Sequence, residues 1–240
     1  MLEFAKTPPK GWNSWDVYGA SVTEEEVKRN ADIMAEKLKK YGWNYVVVDI
    51  QWYEPGAESA AYRKFADLKI DEYSRVLPAE NRFPSSADGV GFAPLAEYVH
   101  QLGLKFGIHI LRGIPRQAVH GRMHIKGTDK TADQIAINSI CPWNSDMYGV
   151  DMSIPEGQLY YDSLMELYAS WGVDFIKVDD IAYSTIYRDS HRKEIEGIRK
   201  AIDKRDGRLY FPFTGTGKTS GWKLSPKECQ YVETYRRFLG

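Results

Sequence analysis

The sequence predicts an α/β protein with a parallel sheet, because short apolar runs alternate with amphipathic helical segments along its 240 residues. The apolar runs are rich in β-branched residues, as in YVVVDI at 45–50, which is typical of strands buried on both faces. The longest connections all follow strands. Such connections build the active site of a (β/α)8 barrel, so we predict a fold of that TIM-barrel type. An open doubly wound sheet would show the same alternation, although no G-x-G-x-x-G follows the first strand.

The first two elements of this pattern lie near the N-terminus. GWNSW at 11–15 is a short predicted strand, and residues 22–42 form a predicted helix that ends at Gly42. Thr23 and Glu26 have the spacing of a capping box at its start. One face of this helix carries four apolar side chains, Val27, Ala31, Met34 and Leu38.

The later elements repeat the order of strand, connection and helix. Further strands are predicted at 45–50, 104–110 and 173–180, with a fifth beginning at 208–213. Further helices are predicted at 92–103, 157–172 and 191–207. Two connections, 52–91 and 111–156, are much longer than an ordinary loop, which marks them as candidates for a functional site.

Composition and charge exclude several function classes. Because 32 Lys+Arg balance 33 Asp+Glu, nothing favours nucleic acid or an anionic membrane as a partner. Cys141 and Cys229 form no CxxC pair and define no disulfide framework. No apolar leader and no bilayer-spanning stretch is visible, so we expect a cytoplasmic protein.

Polar side chains fall at the ends of three predicted strands. Asp49 closes one strand, His109 lies near the end of the next, and Lys177 and Asp179 close the fourth. Side chains at i and i+2 point to the same side of a strand, so Lys177 and Asp179 share a face. The ammonium lowers the pKa of the carboxyl and keeps it ionised, which suits nucleophilic attack. A single pair of this kind is more often structural, but three polar strand ends on one rim favour a functional site.

Four stretches, in order along the chain, resemble glycoside hydrolase family 27. They are TPPKGWNSWDVYG at 7–19, YVVVDIQW at 45–52, LKFGIHI at 104–110 and VDFIKVDDI at 173–181. That family contains α-galactosidases, α-N-acetylgalactosaminidases and β-L-arabinopyranosidases. The resemblance implies the N-terminal part of a catalytic (β/α)8 barrel, usually followed by a C-terminal β-domain. It also implies retaining hydrolysis of a terminal glycoside by a carboxylate nucleophile and a carboxylic acid/base, without a cofactor.

The resemblance also implies roles for single residues. The family's K-x-D falls on Lys177 and Asp179, which makes Asp179 the nucleophile that forms a covalent glycosyl-enzyme. Its second strand-one tryptophan falls on Trp15, which is expected to line the sugar site. The first acid of its paired D-D falls on Asp49, and an aromatic position of strand three falls on His109. Lys177 is further expected to hydrogen-bond hydroxyls of the substrate.

One position departs from the α-galactosidase pattern D-D-C-W, because Ile50 lies between Asp49 and Gln51. In the family the paired acids hold the 4- and 6-hydroxyls of galactose, so Ile50 removes an acceptor and adds apolar surface to the sugar-binding pocket. A β-L-arabinopyranoside matches an α-D-galactoside but lacks the CH2OH group, and an unpaired buried hydroxyl is costly. We therefore expect a β-L-arabinopyranoside as substrate, with an α-D-galactoside almost equally favoured.

The end of the chain lacks the second carboxyl that a retaining glycosidase needs about 5–5.5 Å from the first. The resemblance places this acid/base on strand six, in a motif like N-M-W-R-x-[ST]-D-D-F-W, where the chain instead has CQYVETYRRFLG at 229–240. We therefore predict one incomplete barrel domain over 1–240, truncated after about strand five or six. As written it is expected to be inactive.

A frameshift near Leu209 is our hypothesis for the tail at 209–240. Cys-Gln-Tyr-Val-Glu can be encoded so that a shift by one base gives Ala-Asn-Met-Trp. In the same way, Tyr-Arg-Arg-Phe-Leu-Gly can be encoded so that a shift by one base gives Thr-Asp-Asp-Phe-Trp. Two family motifs in one frame and in the correct order favour the frameshift, and the coding DNA tests it.

Two other functions stay open. A non-catalytic part-barrel could grip a sugar through Trp15, Asp49 and Lys177 without turnover. A barrel lyase or aldolase could use Lys177 as a Schiff base, although the neighbouring Asp179 keeps that lysine charged.

Three further expectations concern charge, metal and assembly. Arg112 and Arg116 follow the third strand and are interpreted as solvated loop charges. The histidines show no HExxH or similar spacing, so no metal site is predicted. Pairing into a homo-oligomer would cover the exposed parallel edges of an open barrel.

Overall fold

The computed structural model describes residues 9–58, 61–181 and 189–204. Within these ranges the strands are β1 (Gly11–Asn13), β2 (Tyr45–Val48), β3 (Lys105–Leu111), β4 (Ile114–Pro115), β5 (Ala136–Ile137), β6 (Met147–Val150) and β7 (Phe175–Asp179). The helices are α1 (Trp15–Tyr18), α2 (Glu24–Ile33), α3 (Ala93–Gln101), α4 (Arg116–His120), α5 (Ala132–Ile135), α6 (Pro155–Ser170) and α7 (Ser190–Asp203). The predicted strand at 208–213 and the tail at 209–240 lie outside the described residues.

The central sheet has the order β1-β2-β3-β7, and every neighbouring pair in it is parallel. The predicted alternation of strands and helices is confirmed for all four of these strands. Apolar side chains of β2, β3 and β7 form part of the hydrophobic core, including Val48, Ile108 and Ile176, which are 0% exposed. Burial of this kind stabilises a domain by about 25 cal/mol for each Å² of apolar surface removed from water.

The predicted first helix begins as expected but does not continue to Gly42 as one α-helix. Thr23 and Glu26 form both hydrogen bonds of the capping box at the start of α2. After Ile33 the chain makes a π-helical turn, Met34–Leu38, and then a 3-10 turn, Lys39–Tyr41, before Gly42 takes a left-handed conformation. A π turn rotates the residues after it relative to the α-helical period. Leu38 is consequently 37% exposed, and the prediction that it joins the apolar face was wrong.

The connection after β3 is more ordered than the predicted loop at 111–156. It contains α4, α5 and a small antiparallel sheet in the order β4-β6-β5. Thr131 forms a second capping box with Gln134 at the start of α5. This compact excursion holds the segment 138–146 over the C-terminal end of the central sheet, where Arg116 N–H donates to the Asp146 carbonyl at 2.7 Å.

The connection after β2 is anchored by buried side chains. Trp52 is fully buried, and its indole N–H donates to the His109 carbonyl at 2.7 Å. The buried Arg82 guanidinium donates to the carbonyls of Ala20 and Glu54, which ties this connection to the segment before α2. The described helices include none with the length and apolar character that a membrane span requires.

Candidate active site

The register of the central sheet brings three polar side chains to one level. His109 pairs with Lys177 across β3 and β7, and the last pair between β2 and β3 lies one residue before Asp49 and His109. Residues at one level of a sheet point to the same face, and Asp179 follows two residues after Lys177 on that face. We call these four residues, Asp49, His109, Lys177 and Asp179, the rim cluster.

Lys177 bridges the two carboxylates of the rim cluster. Its Nζ donates to Asp49 Oδ2 at 2.7 Å and lies 3.3 Å from Asp179 Oδ2. His109 Nε2 lies 3.0 Å from the same Asp179 oxygen. Asp49 and His109 are buried, whereas the side chains of Lys177 and Asp179 are 20% and 18% exposed. The predicted shared face of Lys177 and Asp179 is confirmed, and this pair is the part of the cluster that solvent reaches.

Electrostatics keep the rim cluster ionised. Burial alone would raise the pKa of the Asp179 carboxyl, but the hydrogen bond and charge of His109, together with Lys177, lower it below its usual value. Burial acts in the same way on Asp49, where His109, Lys177 and Asn13 together lower the pKa. For Lys177, burial alone would lower the pKa of the ammonium, and the two carboxylates raise it. The cluster therefore presents two carboxylates around one ammonium.

Asn13, at the end of β1, holds the buried member of the cluster. Its Nδ2 donates to Asp49 Oδ2 at 2.6 Å, while its Oδ1 accepts from the Trp15 backbone N–H at 2.9 Å. Ser14 Oγ accepts from the Asp49 backbone N–H at 2.9 Å. Sequence reasoning did not select Asn13 or Ser14. A sequence signal was present, because both are polar residues within the predicted strand at 11–15.

The spacing of the rim cluster permits two other interpretations, and both fail on charge. Oxygens of Asp49 and Asp179 and a His109 nitrogen lie within 4.8 Å of one another, as metal ligands would. Lys177 already supplies a positive charge to both Oδ2 atoms, so a metal ion would have to displace its ammonium. Asp49 is also near enough to Asp179 to act as the second carboxyl of a retaining pair. Asp49 is ionised and accepts hydrogen bonds from Asn13 and Lys177, so it has no proton to donate.

Trp15 lies beside the cluster in a stack with an aromatic residue that sequence reasoning did not select. Its ring is stacked on Tyr62, with centroids 5.5 Å apart and planes 21° apart. Burial raises the pKa of the Tyr62 hydroxyl, and the negative charges of Asp49 and Asp179 raise it further. The Tyr62 hydroxyl therefore lies within the field of the rim cluster. No sequence signal separates it from other aromatic residues in long connections.

Ile50 lies directly behind Asp49 and is 2% exposed, as part of the hydrophobic core. Its backbone N–H donates to Asp49 Oδ1 at 2.8 Å. Gln51 then extends its Nε2 to Asp146 Oδ2 at 2.7 Å, which links the turn to the segment 138–146. A direct contact between Ile50 and a sugar stays a prediction.

The interpretation of Arg112 and Arg116 as solvated charges was wrong. Arg112 is 1% exposed, and its guanidinium lies 2.9 Å from Glu194 Oε1 and 2.8 Å from Asp180 Oδ2. Its Nε donates to the Asp180 carbonyl at 2.7 Å. Arg116 is half-buried over the ring of Tyr148, 4.1 Å from its centroid. We call Arg112, Asp180 and Glu194 the buried cluster.

Comparisons with known proteins agree with this fold. A scan against models of protein families gives no match. A glycoside hydrolase family 27 β-L-arabinopyranosidase from Geobacillus stearothermophilus, solved in complex with arabinose, is 58% identical with a TM-score of 0.86, over 95% of this chain and 52% of that one. A putative α-N-acetylgalactosaminidase from Bacillus halodurans is 56% identical with a TM-score of 0.83, over 93% of this chain and 52% of that one. The α-galactosidase A of Cellvibrio japonicus is 26% identical over 222 residues, which are 92% of this chain and 41% of that protein.

The fold of the described residues is that of the N-terminal part of a (β/α)8 barrel, as in these relatives, which are glycosidases. The chain is homologous to the N-terminal part of glycoside hydrolase family 27 enzymes, which agrees with the resemblance of its four sequence motifs. It spans about half the length of the solved relatives that it matches, 52% in two of them.

Proposed function

We propose that the chain is the nucleophile-bearing part of a retaining exo-glycosidase that acts on terminal β-L-arabinopyranoside or α-D-galactoside linkages. The observation that carries this proposal is the bridge from Lys177 to Asp49 and Asp179, with His109 on the second carboxylate. This arrangement lies at the C-terminal ends of three neighbouring parallel strands, which is where barrel enzymes bind their substrates. The arabinose complex of the Geobacillus relative supports a sugar ligand.

In the proposed reaction Asp179 attacks the anomeric carbon of the sugar. The bond from that carbon to the aglycone oxygen breaks, and an ester bond to the Asp179 carboxylate forms. The departing oxygen needs a proton unless its anion is already stable. In the rim cluster the carboxyl that faces Asp179 across Lys177 is Asp49, which is ionised, and the resemblance places the proton donor on strand six. We therefore expect the 240 residues to form the ester only with glycosides whose leaving group needs no proton.

Ile50 supports the pentose as the preferred sugar. It follows Asp49 directly in the chain, at the position where the family has the second acid of the galactose-binding pair. A galactoside would then bring a CH2OH group to a wall that cannot accept its hydrogen bond, and the lost bond costs about 1–3 kcal/mol. The 58%-identical relative is a β-L-arabinopyranosidase, which agrees with this direction.

The test uses 2,4-dinitrophenyl β-L-arabinopyranoside, whose dinitrophenolate leaves without protonation. We expect a burst of about one equivalent of dinitrophenolate, because no general base then hydrolyses the ester quickly. Intact-mass spectrometry should show one added pentosyl group, and peptide mapping should place it on Asp179. Asp179→Asn should show neither. The matching α-D-galactopyranoside should react more slowly, and an equal or faster reaction would reverse the sugar preference.

The second candidate is a sugar-binding part-barrel without chemistry. It is favoured by the ionised state of Asp49, the carboxyl that shares Lys177 with Asp179, because an ionised carboxyl has no proton to give to the leaving group. Sugar binding without any covalent adduct on wild type would establish it in place of the glycosidase. The Schiff-base alternative needs a neutral lysine, whereas Asp49 and Asp179 raise the pKa of Lys177, and borohydride trapping with a carbonyl substrate should find no adduct.

A further inference from the structure

Three aromatic rings form a continuous row that begins at the rim cluster and ends in solvent. Trp15 stacks on Tyr62, and Tyr62 in turn packs against Trp143, with centroids 5.6 Å apart and planes 43° apart. Trp143 is 44% exposed, so the outer end of the row is open to solvent. We call Trp15, Tyr62 and Trp143 the aromatic row.

The inner end of the row is tied to the predicted nucleophile. The Trp15 backbone N–H donates to Asn13, and Asn13 holds Asp49, which shares Lys177 with Asp179. The Tyr62 hydroxyl lies in the field of both carboxylates. A sugar bound at Asp179 would therefore have this row beside it, with Trp143 further out.

The two long connections that supply Tyr62 and Trp143 are fastened to each other. The Phe65 backbone N–H donates to Ser145 Oγ at 2.8 Å. Asp146 accepts from Gln51 Nε2 at 2.7 Å and from the Tyr53 hydroxyl at 2.9 Å. Because these bonds hold both connections, the rings are positioned before any ligand arrives, and a ligand that stacks on them does not have to order a loop.

We propose that Tyr62 and Trp143 form a subsite for a ring-bearing aglycone, either a second pyranose or an aryl group on the anomeric oxygen of the bound sugar. The aglycone must leave the pocket on the solvent side, and the row extends in that direction. Ligand sites are typically lined by aromatic side chains beside a few placed polar groups, which is the combination found here. Stacking of a ring on an aromatic side chain contributes about 0.5–1.5 kcal/mol. This subsite rests on the proposed function, since it needs the sugar at Asp179.

The test compares two ligands that differ only in the aglycone, methyl and phenyl 1-thio-β-L-arabinopyranoside, whose sulfur linkage resists hydrolysis. Isothermal titration calorimetry on the full chain should give a dissociation constant about tenfold lower for the phenyl ligand. Trp143→Ala should remove most of that advantage and leave the methyl ligand unchanged. Trp43→Ala is the matched control, since Trp43 is 41% exposed and lies before β2, at the opposite end of the sheet.

The outcomes separate this proposal from the proposed function. Equal affinity for the two ligands in wild type, or a phenyl advantage that survives Trp143→Ala, would overturn the subsite and leave sugar binding intact. Failure of both ligands to bind wild type would overturn the proposed function and the subsite with it. If Trp143→Ala does not fold, Trp143→Leu, which keeps an apolar side chain without the ring, should show the same selective loss.

Discussion

Asp179 and Asp180 are neighbours in the chain, yet they belong to two clusters with opposite behaviour. In the rim cluster Lys177 and His109 hold the pKa of Asp179 below its usual value. In the buried cluster, burial raises the pKa of Asp180 to about 6, and the nearby Asp179 raises it while Arg112 lowers it. Burial likewise raises the pKa of Glu194 to about 7, against the opposing charge of Arg112.

The difference comes from the charged groups around each carboxylate. Asp49 and Asp179 share Lys177 and gain further donors in Asn13 and His109. Asp180 and Glu194 share the single guanidinium of Arg112, and the second oxygen of Glu194 accepts from the neutral hydroxyl of Tyr161 at 2.6 Å. One strand end therefore keeps its negative charge where chemistry would need it, while the next residue joins a cluster that favours protonation. Asp180 has φ 59, so the chain turns in the left-handed region immediately after the strand.

The largest effect is expected from Arg112→Met, which leaves Asp180 and Glu194 buried without their cation. Removal of one partner from a buried ion pair destabilises a protein by about 3–5 kcal/mol. Urea denaturation should show a loss of that size in the free energy of unfolding. The matched control is Arg122→Met, because Arg122 is 80% exposed and 3.7 Å from Asp133, and its loss should be a small fraction of this. Similar losses in both variants would contradict the buried cluster.

Lys177→Met should be the next largest change, and it should act on binding more than on stability. It leaves Asp49 and Asp179 facing each other without the ammonium, so the pKa of one carboxyl must rise. We expect binding of methyl 1-thio-β-L-arabinopyranoside to fall at least about 100-fold, since a charge-assisted bond and the ionised site are both lost. Lys126→Met removes a lysine from a half-exposed pair with Glu166 and should leave binding unchanged. If Lys177→Met still bound the ligand with wild-type affinity, the contacts of Lys177 with Asp49 and Asp179 would not be needed for sugar binding.

The two clusters should also differ in the pH range over which they affect stability. Glu194 holds its proton in the folded chain up to about pH 7, while the unfolded chain releases it near 4.5, so stability falls as the pH rises between these values. One such proton gives a limiting slope of about 1.4 kcal/mol per pH unit. Asp49 and Asp179 have lowered pKa values, so their contribution is lost only as the pH falls below about 4.

Glu194→Gln tests that difference, because glutamine keeps the shape without the titration. Melting temperatures between pH 5 and pH 7.5 should fall for wild type and fall less for the variant. Asp162→Asn is the control, because Asp162 is a half-buried carboxyl that pairs with Lys204 and belongs to neither cluster. Its melting temperature should depend on pH as in wild type. Parallel profiles for wild type and Glu194→Gln would show that Glu194 does not hold the proton.

The smallest effect is expected from His109→Phe, which removes one donor from Asp179 and keeps a ring in the buried position. The pKa of Asp179 should rise, so the acidic limb of the dinitrophenyl labelling rate should move to higher pH. The rate at neutral pH should fall by about tenfold, the size of one hydrogen bond. His100→Phe is the control, since His100 pairs with Asp174 at 2.8 Å, before the start of the same strand. If the acidic limb of the labelling rate stayed at the same pH in His109→Phe, His109 would not influence Asp179.

Much of the fold and part of the site could be predicted because their causes are local. Side-chain alternation along residues 173–180 placed Lys177 and Asp179 on one face, and the Thr23 capping box marked the start of α2. Leu38 was misplaced because the π turn that rotates it leaves no mark in the apolar spacing.

What only the tertiary structure decided are contacts between residues far apart in the chain. Lys177 and Asp49 are 128 positions apart, and the sheet register, with four strands side by side, brings them to 2.7 Å. Arg112 follows a strand in the sequence as a loop charge would, and only the placement of α7 brings Glu194 to 2.9 Å from its buried guanidinium. Tyr62 reaches Trp15 through a long connection whose path no local pattern specifies. The sequence by itself determined which chemical groups stand at the strand ends, and the packing of distant segments decided which of them keep their charge, because burial and partners set each pKa.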